Sequence, residues 1–323
     1  MTGKDSSKYP IIFLSLVAPI IGEGLSTSTP ALAFFNPITI LLLAFLYGFG
    51  AVIIREITIY WKGYVHWPTV MFLGIAYGII EEGLFLMSFL NPNFKALGPL
   101  NSYGRAWGVN WVWAMHLTLF HSIYSIFLSI LLVQLSFPKK STENWLSKRG
   151  LVIVTVIFWL GGVVWISYEM NKYDFTPPLV QYGFLILITL IIILLTKKYA
   201  VRIKLRQNST NSSLLFILSY VIGMIYFLFP YISIDLDLPP MIPFIFQPLF
   251  VAGGMYFISR NLGTKQELRM KSLLLWIGLI GFCFILLLKS ILDFVLLGIV
   301  TGLLIINANS VIKRNTDSAI NLA

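Results

Sequence analysis

Long apolar runs, separated by short polar segments, follow one another along most of the 323-residue chain. A helix of about 20 apolar residues crosses the roughly 30 Å hydrocarbon core of a bilayer. The pattern therefore predicts an all-α, polytopic transmembrane helical bundle of about ten spans, built as a single integral membrane domain over residues 1–323. The ten runs lie at 9–24, 36–60, 68–90, 108–137, 150–170, 179–196, 213–234, 241–259, 273–288 and 291–306.

The last two runs are the least regular. Both are short, and only Lys289-Ser290 divides them. The segment 273–306 therefore forms either two spans or one re-entrant element.

Composition and charge support the membrane interpretation. The chain is 58% hydrophobic and 11% charged, whereas soluble domains average about 25% charged residues. The net charge of +10 comes from basic residues that cluster in alternate gaps between the runs. Basic loops mark the cytoplasmic side, so the pattern predicts cytoplasmic N- and C-termini in a multi-pass protein of the cell membrane. The partner is the lipid bilayer. A basic stripe with interleaved aromatics is missing from the sequence, which argues against nucleic acid.

Two adjacent acids, Glu81 and Glu82, lie in the middle of the run 68–90. The next run, 108–137, carries His116 and His121. An ionisable side chain inside a membrane helix costs a few kcal/mol, so its presence is a functional-site hypothesis by default. Residues 68–137 are therefore the candidate site-bearing helix pair, and 150–323 supply further transmembrane helices.

Depth and rotation constrain this pair. With helix boundaries at Leu90 and Gly108, Glu82 and His116 both lie about 12 Å below the outer boundary, and His121 lies about 7.5 Å deeper. Gly74, Gly78 and Glu82 share one face of small residues, which lets another helix approach closely. The two histidines are about 140° apart on an ideal helix, so both face one site only if the helix is distorted or the cavity is wide.

The four residues Glu81, Glu82, His116 and His121 are the candidate catalytic residues. A glutamate and a histidine around one water can activate it for attack on a carbonyl, while an asparagine or the second histidine holds the oxyanion. The same residues can carry protons in a transporter or bind a cation. They can also serve packing alone, as neutral acids hydrogen-bonded to hydroxyls. The sequence assigns no cofactor-binding residue, and the cofactor and any metal remain unknown.

Other polar positions in or near the runs receive structural interpretations. Glu23 is expected near the outer end of the first helix, and Arg55-Glu56 is expected to be an interfacial pair near the inner boundary, where side chains snorkel to water. The loop 91–107 is rich in turn-forming and aromatic residues. It is either a lid above the acids or an interfacial loop held by its aromatic side chains.

Residues 68–137 resemble the CPBP family of intramembrane proteases, which includes the CAAX prenyl endopeptidases and bacteriocin-processing proteins. Glu81-Glu82 match the start of its Glu-Glu-x-x-x-Arg motif, with Leu86 at the arginine position. His116 and His121 each match the histidine of its Phe-x-x-x-His motif, preceded by Val112 and Leu117. The resemblance implies that Glu81 or Glu82 activates the attacking water with His116, and that His121 assists.

Three function classes follow from these observations. The first is a divergent or inactive CPBP-like glutamate/histidine hydrolase that acts on a membrane-embedded peptide or small molecule. The second is a proton-coupled transporter. Discontinuous helices at the prolines of runs seven and eight would favour it. The third is a non-enzymatic membrane subunit whose buried polar residues only fix helix packing.

Overall fold

The computed structural model describes residues 8–26, 28–199 and 211–261, together with the isolated residues 277, 278, 299, 302 and 306. In this part the protein is an all-α bundle with one two-residue strand pair. Helix α1 (Lys8–Pro19) continues into the π-helical turn Ile20–Gly24, and a short α2 spans Ala31–Phe34. The longer helices that follow are α3 (Pro37–Lys62), α4 (Trp67–Phe85), α5 (Trp111–Ser136), α6 (Lys148–Tyr173), α7 (Leu179–Tyr199), α8 (Ser212–Asp235) and α9 (Met241–Asn261).

Seven helices of the described residues, α3 to α9, are long and apolar enough to cross a membrane. The chain is therefore a multi-pass membrane protein, as its sequence predicts. Predicted runs two to eight each form one of these helices, and the first run forms α1 with its π-helical turn. The runs 273–288 and 291–306 lie outside the described residues apart from the five isolated positions, and so does the choice between two spans and one re-entrant element.

Side-chain caps explain where several helices begin. Asn36 precedes Pro37 at the start of α3 and accepts a hydrogen bond from the Ile38 amide. Ser147 accepts one from the Gly150 amide at the start of α6. His66, directly before α4, caps that helix by accepting a hydrogen bond from the Thr69 amide. These acceptors satisfy amides that the first turn of a helix leaves unpaired.

Helix α5 is the centre of the bundle. Of its most apolar 18-residue window 94% is buried, whereas the corresponding value for α6 is 11%. Large apolar side chains of α6 to α9 face outward, as expected for contact with lipid acyl chains.

The glycine face predicted on α4 packs directly on α5. A Cβ at Gly74 would lie 2.8 Å from the Cα of Ser122, and one at Gly78 would lie 2.9 Å from the Cα of Thr118. Only glycine permits an approach this close. The two helices that carry the acids and the histidines are therefore neighbours.

The segment 86–110, called the cap below, covers the end of the bundle at which α4 ends and α5 begins. It contains a 3₁₀ helix (Lys95–Asn101) and the antiparallel strands β1 (Arg105–Ala106) and β2 (Val109–Asn110). The Arg105 guanidinium donates to the carbonyls of Leu90 and Asn91 at 3.0 and 3.2 Å. These bonds stabilise the segment internally, while the Tyr103 hydroxyl ties it to the bundle by donating to the carbonyl of Leu238 at 2.6 Å.

Arg55 and Glu56 differ from their sequence-based interpretation, because both are fully buried. They form an ion pair with each other. Arg55 also donates to the carbonyl of Lys140 at 3.0 Å, and Glu56 accepts from the amide of Trp145 at 3.0 Å. The expectation of a snorkelling pair is therefore wrong. Backbone amides and carbonyls of the segment between α5 and α6 form hydrogen bonds with the two side chains, which offset the cost of burying their charges.

Candidate functional site

Four segments of the described chain are π-helical, at Ile20–Gly24, Ala44–Gly48, Ile79–Phe85 and His121–Leu128. Each contributes to one polar cluster, to which they bring Glu23, Tyr47, the pair Glu81 and Glu82, and His121. A π-helical turn inserts an extra residue and rotates the side chains that follow it, and such turns are frequent at functional sites. Helix distortion, one of the two conditions under which the sequence analysis lets both histidines face one site, is present in both helices of the pair.

His121 contacts both acids. Its Nε2 lies 3.3 Å from Oε1 of Glu82, and its Nδ1 lies 3.1 Å from Oε2 of Glu81. Nδ1 is also 3.0 Å from the hydroxyl of Ser125, one turn along α5. The Ser88 hydroxyl donates to the other oxygen of Glu82. All five side chains are buried, and Glu81 is completely so.

Glu23, assigned no function from the sequence, is part of the same cluster. Tyr47 donates its hydroxyl proton to Oε1 of Glu23 at 2.6 Å, and Thr29 donates to Oε2 at 2.8 Å. The rings of Tyr47 and His121 are 5.8 Å apart. An acid between two glycines in an apolar run was the only signal in the sequence, and it did not reveal that this acid lies beside His121.

His116 has a different environment from His121. Its Nδ1 is 3.0 Å from Oε1 of Gln247 on α9, and its ring stacks on Tyr226 of α8 at 5.1 Å. The structure therefore places His121, rather than His116, against the acids. Gln247 and Tyr226 come from helices that the sequence gave no means of placing next to α5.

Two boundary errors explain why the predicted depths fail. Helix α4 ends at Phe85 rather than Leu90, and α5 begins at Trp111 rather than Gly108. Glu82 is therefore about 4.5 Å and His116 about 7.5 Å from the helix ends, instead of about 12 Å each. The buried residues after Phe85 are apolar enough to resemble a helix continuation, although they belong to the cap.

A cavity of about 950 Å³ opens beside the cluster. Glu82, His121, His116 and Glu23 all line it, and so does Tyr47. Both histidines thus face one cavity, as the sequence analysis allowed for a wide one. Glu81 lies behind His121, outside this lining.

The cap forms part of the cavity wall through Phe94 and Leu97. It therefore has the position of the lid considered from the sequence. Asn110, in contrast, is not among the lining residues. Its amide nitrogen donates to the carbonyl of Leu100 at 2.6 Å, and its oxygen accepts from the Trp113 amide at 3.0 Å. Asn110 is therefore a helix cap, and no described asparagine lines the cavity, which leaves His116 as the candidate for stabilising the oxyanion.

The cavity occupies only one end of the bundle. On α5 its lining extends from Trp113 to His121, about 15 Å from the first residue of a helix whose 26 residues measure about 39 Å. On α6 the lining residues all lie between Val164 and Tyr173, at the end of that helix. The described lining thus forms a pocket rather than a passage through the bundle.

Within residues 8–26, 28–199 and 211–261, no group of three or more His, Cys, Asp or Glu side chains has an arrangement suited to a metal ion. Glu82 and His121 instead form a hydrogen-bonded acid–base pair, and Glu81 lies 3.1 Å from the other nitrogen of the His121 ring. No family model, curated protein or solved structure matches the chain.

Proposed function

We infer that the protein is an intramembrane hydrolase in which Glu82 and His121 activate a water molecule. The observation that carries this inference is the 3.3 Å contact between Glu82 and His121 at the wall of a cavity of about 950 Å³. A glutamate–histidine pair within hydrogen-bond reach is suited to proton transfer. The site is proposed to lie in the cell membrane and, with cytoplasmic termini, to open outward.

The reaction follows from these positions. Glu82 or His121 takes a proton from water as the water oxygen forms a bond to the carbonyl carbon of the substrate. His116 donates its Nδ1 proton to Oε1 of Gln247, so its Nε2 can stabilise the resulting oxyanion only when the ring is protonated. The C–N bond then breaks, and the nitrogen leaves with the proton that the pair returns. Glu81, at 3.1 Å from the other nitrogen of His121, fixes the ring and stabilises its protonated form.

The resemblance of residues 68–137 to the CPBP proteases is consistent with this chemistry. It suggests a peptide substrate in the membrane, with a prenylated cysteine peptide as one class to test. In this protein His121 takes the role next to the glutamates that the resemblance gave to His116, and the Arg position of the family motif is Leu86. The protein is accordingly proposed as a divergent relative.

The test uses purified protein in nanodiscs and two internally quenched probes, a transmembrane peptide and a farnesylated cysteine peptide. Wild-type protein is expected to cleave at least one probe, and Glu82→Gln or His121→Asn to lower the rate by about 10²-fold or more. Glu143→Gln is the matched control, because Glu143 pairs with Lys140 in an exposed loop away from the cavity. Equal cleavage by Glu82→Gln and wild type, or no cleavage of either probe by wild type, would contradict the proposal.

A proton-coupled transporter is the second candidate, since one titratable cluster is formed by the half-buried Glu23 and by four buried residues, Tyr47, Glu81, Glu82 and His121. Two observations favour the hydrolase over it. The described cavity is confined to one end of the bundle, and α8 and α9 continue through Pro230 and Pro248 without a break. Proton-driven uptake into proteoliposomes that Glu82→Gln abolishes would support the transporter instead.

A further inference from the structure

The cavity carries an excess of acidic groups. Among its described lining residues are three carboxylates, Glu23, Glu82 and Glu169, and one amine, Lys172. Two of the carboxylates have their hydrogen-bond partners within the protein. Tyr47 and Thr29 donate to Glu23, and Ser88 and His121 lie against Glu82.

Glu169, on the last turns of α6, is different. The residue is only 3% exposed, and one of its oxygens, Oε2, is buried without a hydrogen-bond donor in the described structure. Its other oxygen, Oε1, is 3.3 Å from the ammonium of Lys172. A buried carboxylate oxygen without a donor is costly, so this position is suited to accept a donor from a molecule in the cavity.

Lys172 shows what kind of group the position accepts. Its Nζ lies 4.7 Å from the ring centroid of Tyr173 and 5.4 Å from that of Tyr168, in addition to its contact with Glu169. A carboxylate combined with aromatic faces is a recognition site for organic cations. The Lys172 side chain is 42% exposed, and its flexible stem lets the ammonium move out to solvent.

We propose that Glu169, with Tyr168 and Tyr173, binds a positively charged side chain of the substrate, which displaces the Lys172 ammonium. The substrate class is therefore a hydrophobic peptide that carries a lysine or an arginine. This assignment rests on the proposed function for the fate of the peptide, but binding can be measured without hydrolysis. Tyr168 is 54% exposed, which places the charged group at the mouth of the cavity.

Binding is measured in phosphatidylcholine nanodiscs with two probes, a hydrophobic pentapeptide amide with a central lysine and the same peptide with a central norleucine. Trp113 and Trp165 line the cavity, so quenching of tryptophan fluorescence reports occupancy. Wild type is expected to bind the lysine peptide about tenfold more tightly than the norleucine peptide. Glu169→Gln removes this preference, whereas Glu143→Gln preserves it.

The decisive result is whether Lys172→Met raises or lowers the affinity for the lysine peptide. If the resident ammonium competes with the ligand, its removal raises the affinity for the lysine peptide severalfold and leaves the norleucine peptide unaffected. Equal affinities of wild type for the two peptides, or weaker binding of the lysine peptide by Lys172→Met, would overturn the proposal. This variant also tests the idea if Glu169→Gln fails to fold.

The two proposals fail separately. A charge preference that depends on Glu169, in a protein that cleaves neither quenched probe, would retain the cation site and reject the hydrolase. Cleavage that depends on Glu82, with no preference for the lysine peptide, would do the reverse.

Discussion

Gly78→Val is the sharpest test of how the bundle assembles its site. A Cβ at Gly78 would lie 2.9 Å from Cα and 3.1 Å from the carbonyl oxygen of Thr118. Carbon atoms in contact prefer about 3.5–4.0 Å, and backbone atoms of α5 cannot rotate away. Helices α4 and α5 must therefore separate by about 0.6–1.1 Å to reach that spacing.

The separation has an energetic and a catalytic consequence. Overpacking lowers the unfolding free energy by about 1–3 kcal/mol or more. The higher helix propensity of valine relative to glycine recovers less than about 1 kcal/mol of this. We therefore expect a net loss of about 2 kcal/mol in unfolding free energy. The contact between Glu82 and His121 would widen from 3.3 Å to about 4 Å, beyond hydrogen-bond length. A misplacement of about 1 Å can lower a rate by about 10²-fold.

The assay combines denaturant titration in detergent with cleavage of the quenched probes. Gly161→Val is the matched control, because Gly161 also lies in an apolar helix long enough to span a membrane, but a Cβ there meets nothing within 4 Å. We expect this control to change stability by less than about 1 kcal/mol, in the stabilising direction. Wild-type stability and cleavage in Gly78→Val, or equal losses in both variants, would refute the close-approach argument.

Three further substitutions test other parts of the structure. Arg55→Met leaves the buried Glu56 without its ion pair and is expected to cost about 3–5 kcal/mol in denaturant titration; a loss below about 1 kcal/mol would restore the interfacial interpretation. Ser147→Ala removes the cap of α6 and is expected to cost about 1 kcal/mol in the same titration, and no loss would mean that the cap is dispensable. Glu81→Leu is expected to preserve or raise stability while slowing cleavage, because a buried carboxylate is exchanged for an apolar side chain; unchanged cleavage would remove Glu81 from the proposed mechanism.

The spans could be predicted because lipid imposes one simple condition on them. A segment that crosses hydrocarbon must be apolar over about 20 residues and must satisfy its backbone internally. The glycine face of α4 was also visible, because residues four apart share one side of a helix. Both features depend on local sequence, and both are present in the structure.

The composition of the site depends on features that local sequence does not encode. A π-helical turn arises when a helix accommodates an extra residue against its neighbours, so the rotation of Glu81 and His121 could not be obtained from an ideal period. The partnership of Glu23 with Tyr47 joins residues 24 positions apart in sequence. The contact between His116 and Gln247 spans 131 positions. These pairs follow from how the helices pack together.

The distribution of partners around the acids is itself an argument for function over packing. A cluster that served only to fix helix packing would be expected to give every buried carboxylate oxygen a donor. Glu23 and Glu82 meet this expectation, whereas Glu81 has only the hydroxyls of Tyr47 and Tyr77 nearby and accepts no hydrogen bond of good geometry in the described structure. Its close contact is with His121, the side chain that also reaches Glu82 at the cavity wall. Burial of a charge this poorly solvated is costly, and an apolar residue would fill the same space at lower cost. In the proposed mechanism Glu81 compensates this cost by stabilising the protonated form of His121. His121 holds the proton after it is taken from water and before it is passed to the product.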